Sequence, residues 1–231
     1  MVLVPGMDGT GLLFHRQVPL LARRYRTVTY TLRDDAATMD VLVDDVAAVI
    51  RTVGTGPAVV IGESFGGTVA LSFALAHPEL VGALVVLNSF SRVLPQVNLR
   101  IAIGALRVMP WHTMPLVRRL TAFRLHSRYT HRTEIRRFLE LTRQTRRDGY
   151  IARLGILRRY DVRERLSTLR VPTLFLASEL DHLIPSVREG RYMAERVSGA
   201  TLRILAGHGH ICLIAPNLDL EQLLREWRPD L

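Results

Sequence analysis

The sequence contains no lysine, and all 31 of its basic residues are arginine. We read this first as the coding bias of a GC-rich genome. It also removes a Walker-type phosphate loop from consideration, because the glycines of such a loop need a lysine to reach the nucleotide phosphates. Cysteine is nearly absent too. Cys212 stands alone, which excludes an intramolecular disulfide, leaves packing to hold the fold, and suits a reducing compartment. There is no run of about 18 uncharged apolar residues of the kind that crosses a membrane. The N-terminus lacks the basic, then apolar, then small pattern of a secretory signal, so the expected location is the cytoplasm.

What is present is an ordinary globular balance of 48% hydrophobic and 23% charged residues over 231 positions. That is enough chain to bury one α/β core, with one domain plus an insertion as the expectation. The net charge of +10 is unevenly placed. Residues 91–170 hold 19 arginines and 5 acids, a net of +14, whereas the rest holds 12 arginines and 16 acids, a net of −4. A basic surface raises the question of nucleic acid, but no recognised binding motif accompanies it, and no nucleic-acid partner is expected.

Along the chain, short apolar runs alternate with helical patterns. Strands are expected at Met1–Pro5, Thr27–Leu32, Ala58–Gly62, Val81–Leu87, Val171–Ala177 and Thr201–Leu205. Helices are expected over Leu12–Arg24, Met39–Val53, from Ser64 to His77 where Pro78 stops it, over Ser186–Val197 and over Leu218–Trp227. This alternation predicts an α/β fold, a parallel sheet with helices on both faces. Residues 91–170 carry no convincing strand and are expected to form a helical insertion over the sheet.

Gly62-Glu63-Ser64-Phe65-Gly66 matches G-x-S-x-G, with a buried strand before the serine and an apolar helix after it. In that setting the serine sits on a sharp strand-to-helix turn; simple helix capping by Ser64 is the plainer alternative. A serine hydroxyl needs a base within hydrogen-bond reach, and that base needs a carboxylate to hold its tautomer. Asp181 lies just past the strand ending near Ala177, with Glu179 as its competitor. His208 and His210 both follow the last strand, and the distance beyond the strand end that is usual in the family these patterns resemble favours His210. Two oxyanion donors are also required. The Phe65 N–H is one; the other is expected from the loop Gly6-Met7-Asp8-Gly9-Thr10-Gly11, at Met7 or, as the next candidate, Asp8.

The patterns Val4-Pro5-Gly6-Met7-Asp8-Gly9-Thr10-Gly11, Gly62–Gly67, and Asp181-His182-Leu183-Ile184-Pro185 with Gly209-His210 resemble the α/β-hydrolase fold family along nearly the whole chain outside the insertion. The resemblance implies a mostly parallel sheet, a Ser-acid-His triad, and a helical cap after the sixth family strand. Here that corresponds to a core of residues 1–90 and 171–231 with a cap at 91–170. Two departures stand out. Pro5-Gly6 replaces the His-Gly of many members. The chain also starts at what resembles the family's third strand, so about six strands are expected, with one sheet edge open or covered by something else. The Pro-Gly-x-Asp-Gly-Thr-Gly loop resembles a subgroup of esterases, thioesterases and plastid acyltransferases.

The expected function is therefore hydrolysis of a small-molecule carboxylic ester or thioester by Ser64, His210 and Asp181, with Met7 and Phe65 as oxyanion donors and with no cofactor or metal. An acyltransferase using the same triad and a non-catalytic binding protein of the same fold are the competing readings. The apolar stretch from Leu99 to Val117, broken by arginines, Pro110 and Pro115, reads as cap helices packed on the sheet or as an acyl-binding wall with a basic outer face. That face is expected to favour substrates with an anionic portion or anionic lipid surfaces.

Overall fold

The computed structural model describes residues 1–54, 56–93 and 96–231, with side chains except at 96–98 and 121–124. Six strands, β1 (Val2–Val4), β2 (Val28–Thr29), β3 (Ala58–Glu63), β4 (Val81–Leu87), β5 (Thr173–Ser178) and β6 (Thr201–Leu205), form one parallel sheet. Its order is β2-β1-β3-β4-β5-β6. The chain moves outward from β1 to β2 and then returns to the other side of β1 with β3. Open α/β sheets place their sites beyond the carboxyl ends of strands flanking such a reversal.

The helices are α1 (Gln17–Leu21), α2 (Met39–Val53), α3 (Phe65–Ala76), α4 (Gln96–Val108), α5 (Met114–Leu125), α6 (Arg132–Leu141), α7 (Arg147–Leu157), α8 (Ser186–Ala194) and α9 (Leu220–Trp227). Strand side chains alternate between two cores. Val2, Val4, Val60, Leu84, Val86 and Phe175 face one, with α2, α3 and α8 over them. Leu3, Ile61, Val85, Leu87, Leu174 and Leu176 face the other, beneath Leu21 of α1 and Leu220 and Leu224 of α9. The apolar runs are continuous because both faces of each central strand are covered. In α2, burial falls on Leu42, Val43, Val46, Ala47 and Ile50, the single stripe that helical periodicity predicts.

Four expected elements change their bounds, three of them where proline or a cap intervenes. The second strand pairs over Val28–Thr29 alone. Its partner β1 stops before Pro5, which has no N–H for the ladder, and the Leu32 N–H then bonds Gly9 O at 2.8 Å instead. The expected Leu12–Arg24 helix divides into a 3-10 turn, Leu12–Arg16, and the short α1. β5 starts at Thr173, after Pro172, and α9 starts at Leu220, where the Asp219 carboxylate accepts from the Gln222 N–H at 3.0 Å.

Between β4 and β5 the described residues form helices α4–α7 and short 3-10 turns, with no strand. Isolated bridges join Arg92 to Asp161 and His126 to Ile211. Ile101, Val108, Leu116 and Leu120 of this segment are 59–83% exposed. Among the described residues, no helix is long and apolar enough to cross a membrane.

Candidate active site

β3 ends at Glu63 and α3 begins at Phe65, so Ser64 alone makes the turn, at φ 54° and ψ −118°. A non-glycine residue held there costs about 1–3 kcal/mol and persists only when its surroundings enforce it. The enforcement is visible. The Ser64 N–H bonds Leu87 O at 2.9 Å, and Ser64 O accepts from the Gly67 N–H at 3.0 Å and the Ser89 hydroxyl at 2.8 Å. Close approach explains two glycines of the motif, because a Cβ on Gly62 would lie 2.2 Å from Gly66 O and one on Gly66 would lie 2.2 Å from Val4 O.

His210 sits in the loop that follows β6, and Asp181 in the loop that follows β5. The imidazole bridges the other two groups: Nε2 is 2.9 Å from Ser64 Oγ, and Nδ1 is 2.7 Å from Asp181 Oδ2. An ionised Asp181 can only accept, so the Nδ1 proton points to it and Nε2 is left to accept from the serine hydroxyl. Asp181 also accepts from the backbone N–H groups of Leu183 and Ile184, each at 2.9 Å, and from the Ser186 hydroxyl. Ser64, His210 and the Asp181 side chain are 9%, 4% and 1% exposed, so the set is held away from bulk water.

The two competing residues are engaged elsewhere. Glu179 accepts from the Gly207 N–H at 2.8 Å, fixing the start of the histidine loop. His208 lies 2.9 Å from Ser127 Oγ, which also accepts from the Gly209 N–H at 3.2 Å. Asn88 was not foreseen as part of the site. It has φ 47° at the end of β4, and its amide donates to His210 O at 2.7 Å and Ser178 Oγ at 2.9 Å while its oxygen accepts from the Ser178 N–H at 2.8 Å. A lone asparagine after an apolar run suggests a turn; a positive-φ tie between two loops is not legible from it.

The glycine-rich loop after β1 approaches the same rim. The Gly9 N–H bonds Gly6 O at 3.0 Å, and Asp8 turns its carboxylate back onto the Thr10 N–H at 2.9 Å and the Thr10 hydroxyl. The Asp8 carboxylate is thus occupied within its own loop. Among the described residues, no turn, loop or cap hydrogen bond uses the Met7, Asp8 or Phe65 N–H. Gly6 faces Glu63, whose Oε2 would lie 2.4 Å from a Cβ at that position.

The electrostatics follow from burial and pairing. Burial would raise the Asp181 carboxyl, but the hydrogen bond and charge of His210, with the Ile184 and Ser186 donors, hold it below its ordinary value. Burial would lower His210, but the Asp181 hydrogen bond and charge, with a contribution from Glu63, keep it above. Glu63 is pushed up to about 7, chiefly by burial, with His210 opposing and Asp8 and Asp181 adding. Its Oε1 is 3.8 Å from His210 Nε2.

A model of the alpha/beta hydrolase family matches residues 1–225. The chain belongs to the alpha/beta hydrolase family. A relative named "Putative carbamate hydrolase RutD", from Caulobacter sp. (strain K31), is 30% identical over 226 residues, which span 90% of this chain and 82% of that protein. Among solved structures, a thermophilic esterase from Thermogutta terrifontis matches this hydrolase-family chain with a TM-score of 0.84 at 25% identity, covering 98% of this chain and 88% of that one. MenH from S. aureus shares the fold, with a TM-score of 0.82 at 17% identity over 98% of this chain and 91% of its own.

Proposed function

We propose that this chain is a serine hydrolase that cleaves a small-molecule carboxylic ester or thioester through an acyl-serine intermediate. The observation that carries the reading is the single imidazole of His210 within hydrogen-bond reach of both the Ser64 hydroxyl and the Asp181 carboxylate. Ser64 Oγ attacks the acyl carbon while His210 Nε2 takes its proton, and the carbonyl oxygen becomes an oxyanion. The Phe65 and Met7 N–H groups are assigned to that oxyanion. His210 then returns the proton to the leaving alcohol or thiol as the C–O or C–S bond breaks. Water repeats the sequence on the acyl-serine, releasing the acid and restoring Ser64. Asp181 holds the Nδ1 proton and stabilises the imidazolium without itself becoming protonated.

Residues 91–170 are assigned as a helical cap bounding the acyl site. A cleft of about 470 Å³ between α4 and α7, with Ile103 and Ile151 flanked by Arg100, Arg107, Arg158 and Arg159 and no triad residue in its lining, supports an affinity of this segment for anionic groups, carried by a substrate or by a lipid surface.

The test is a panel of p-nitrophenyl esters and acyl-CoA thioesters, neutral and anionic, run on wild type and Ser64→Ala, with co-sedimentation on anionic and neutral vesicles alongside. Wild type is expected to show a burst followed by steady turnover. Ser64→Ala is expected to lose at least about 1000-fold in rate while keeping its fold. An unchanged rate in the alanine variant would remove the assignment. The RutD relatives favour a second reading in which the scissile group is a carbamate. Carbamates in the same panel separate the two, because a preferred carbamate would outpace the matched ester.

A further inference from the structure

Arg153, on α7, is a buried charge that the proton transfers above do not use. It is 1% exposed. Its Nε donates to Met7 O at 3.2 Å and its Nη2 to Asp8 O at 3.5 Å, while Nη1 lies 3.4 Å from Asp34 Oδ1. The guanidinium fills the space a side chain at residue 9 would need: a Cβ on Gly9 would meet its Nη1, Cζ and Nη2 at 2.6–2.7 Å. Asp34 is seated just as tightly, since a Cβ on Gly149 would lie 1.8 Å from its Oδ1. Gly149 precedes Arg153 by one helical turn, so one face of α7 grips Asp34 and the loop together. Arg146 Nε adds a second contact to Asp34, at 3.1 Å.

Burying a guanidinium is costly unless its donors are matched, and here two of them are matched to carbonyls of consecutive peptides. A trans peptide holds its C=O and N–H antiparallel. Fixing the Asp8 carbonyl therefore fixes the Gly9 N–H, which bonds Gly6 O at 3.0 Å. The Gly6 carbonyl belongs to the peptide whose other end is the Met7 N–H. Orientation is passed from Arg153 through two peptide planes to the proposed oxyanion donor, without Arg153 touching the substrate.

We propose that Arg153 is a positioning residue: the helical segment between β4 and β5 completes the oxyanion hole by locking the Met7 N–H in place. This inference rests on the acyl-serine reading above. Loss of an oxyanion donor costs about 100- to 1000-fold in rate. Loosening one should cost less, and about 10- to 100-fold in kcat is expected for Arg153→Ala, with KM within about threefold.

The experiment measures kcat and KM for a p-nitrophenyl ester, and the rate at which a fluorophosphonate labels Ser64, in wild type, Arg153→Ala and Arg153→Lys, with folding followed by near-UV circular dichroism. Both activity readouts should fall in parallel. Added guanidinium ion should restore part of the Arg153→Ala rate and none of Ser64→Ala. Arg153→Lys keeps charge and stem should Arg153→Ala not fold. It is expected to stay at least about tenfold down in kcat, because an ammonium cannot hold two carbonyls as a planar fork does. A folded Arg153→Lys with wild-type kcat and labelling rate overturns the inference, as does a rise in KM alone. A wild type that neither turns over any ester nor reacts with the fluorophosphonate sinks the acyl-serine reading, and the positioning role with it, which is a distinct result.

Discussion

The central strands and the β4–β5 segment are both rich in apolar residues, yet they use them in opposite ways. From Ala83 to Leu87, every side chain of β4 is at most 1% exposed, whereas Ile101, Val108, Leu116 and Leu120 of α4 and α5 are all more than half exposed. The strands are uninterrupted and covered on both faces; the helices interleave apolar residues with arginines and cover one face. Hydrophobic content therefore does not decide burial, and the spacing of charges does. The consequence is a division of labour. The sheet edge holds Ser64, Asp181 and His210, and the helical segment reaches that edge at defined contacts, Arg153 on the first loop and the Leu125–Arg128 stretch on the histidine loop.

The largest effect expected to test this division lies in the histidine loop. His210→Gln should lose at least about 1000-fold in kcat/KM. His208→Gln, which removes ties to Ser127 and Asn217 and a ring contact with Tyr129 but nothing bonded to Ser64, should lose less than about tenfold; equal losses would break the assignment. A stability comparison comes next. Ile61→Ala, deep in the sheet, is expected to cost about 2–5 kcal/mol by urea unfolding, and Ile101→Ala, at the exposed face of α4, less than about 0.5 kcal/mol. A matching loss at both positions would mean that the exposed face is covered in solution.

A smaller effect sharpens the electrostatic side. In the proposed reaction His210 must be neutral to act as base, and against burial the Asp181 hydrogen bond and charge, with Glu63, hold it above its ordinary 6.5. The acid limb of kcat/KM should therefore have its midpoint above that value, and Glu63→Gln, which removes an anion helping to raise it, should move the midpoint down. Glu63 also links pH to stability. Its folded value of about 7 lies above its ordinary 4.5. Its favourable contribution is therefore complete below about 4.5 and is lost as pH rises through about 7. The Tm of Glu63→Gln relative to wild type should rise across that window, and a flat difference would contradict the burial of this carboxyl.

Much of the site was legible in the chain. The sharp turn at Ser64 was readable because strand, serine and helix are contiguous. Asp181 and His210 were readable because each follows an apolar run by a few residues. Spacing beyond the last strand favoured His210 over His208 but left Glu179 an open competitor of Asp181, and the structure shows both competitors tied to neighbouring loop atoms instead. Asn88 and Arg153 were not legible as site residues. Nothing local distinguishes Arg153 from the other arginines between residues 91 and 170, and its partners Met7 and Asp8 lie 146 and 145 positions away.

The sequence by itself determined the alternation of strands and helices, the strand-serine-helix order at Ser64 and the glycine-rich composition of the first loop, because each depends on residues close together in the chain. Only the tertiary structure decided which imidazole meets the serine, which carboxylate holds that imidazole and which arginine is buried. Those choices are set by distances between loops that the sheet order brings to one rim, and spacing along the chain can rank the candidates but not measure those distances.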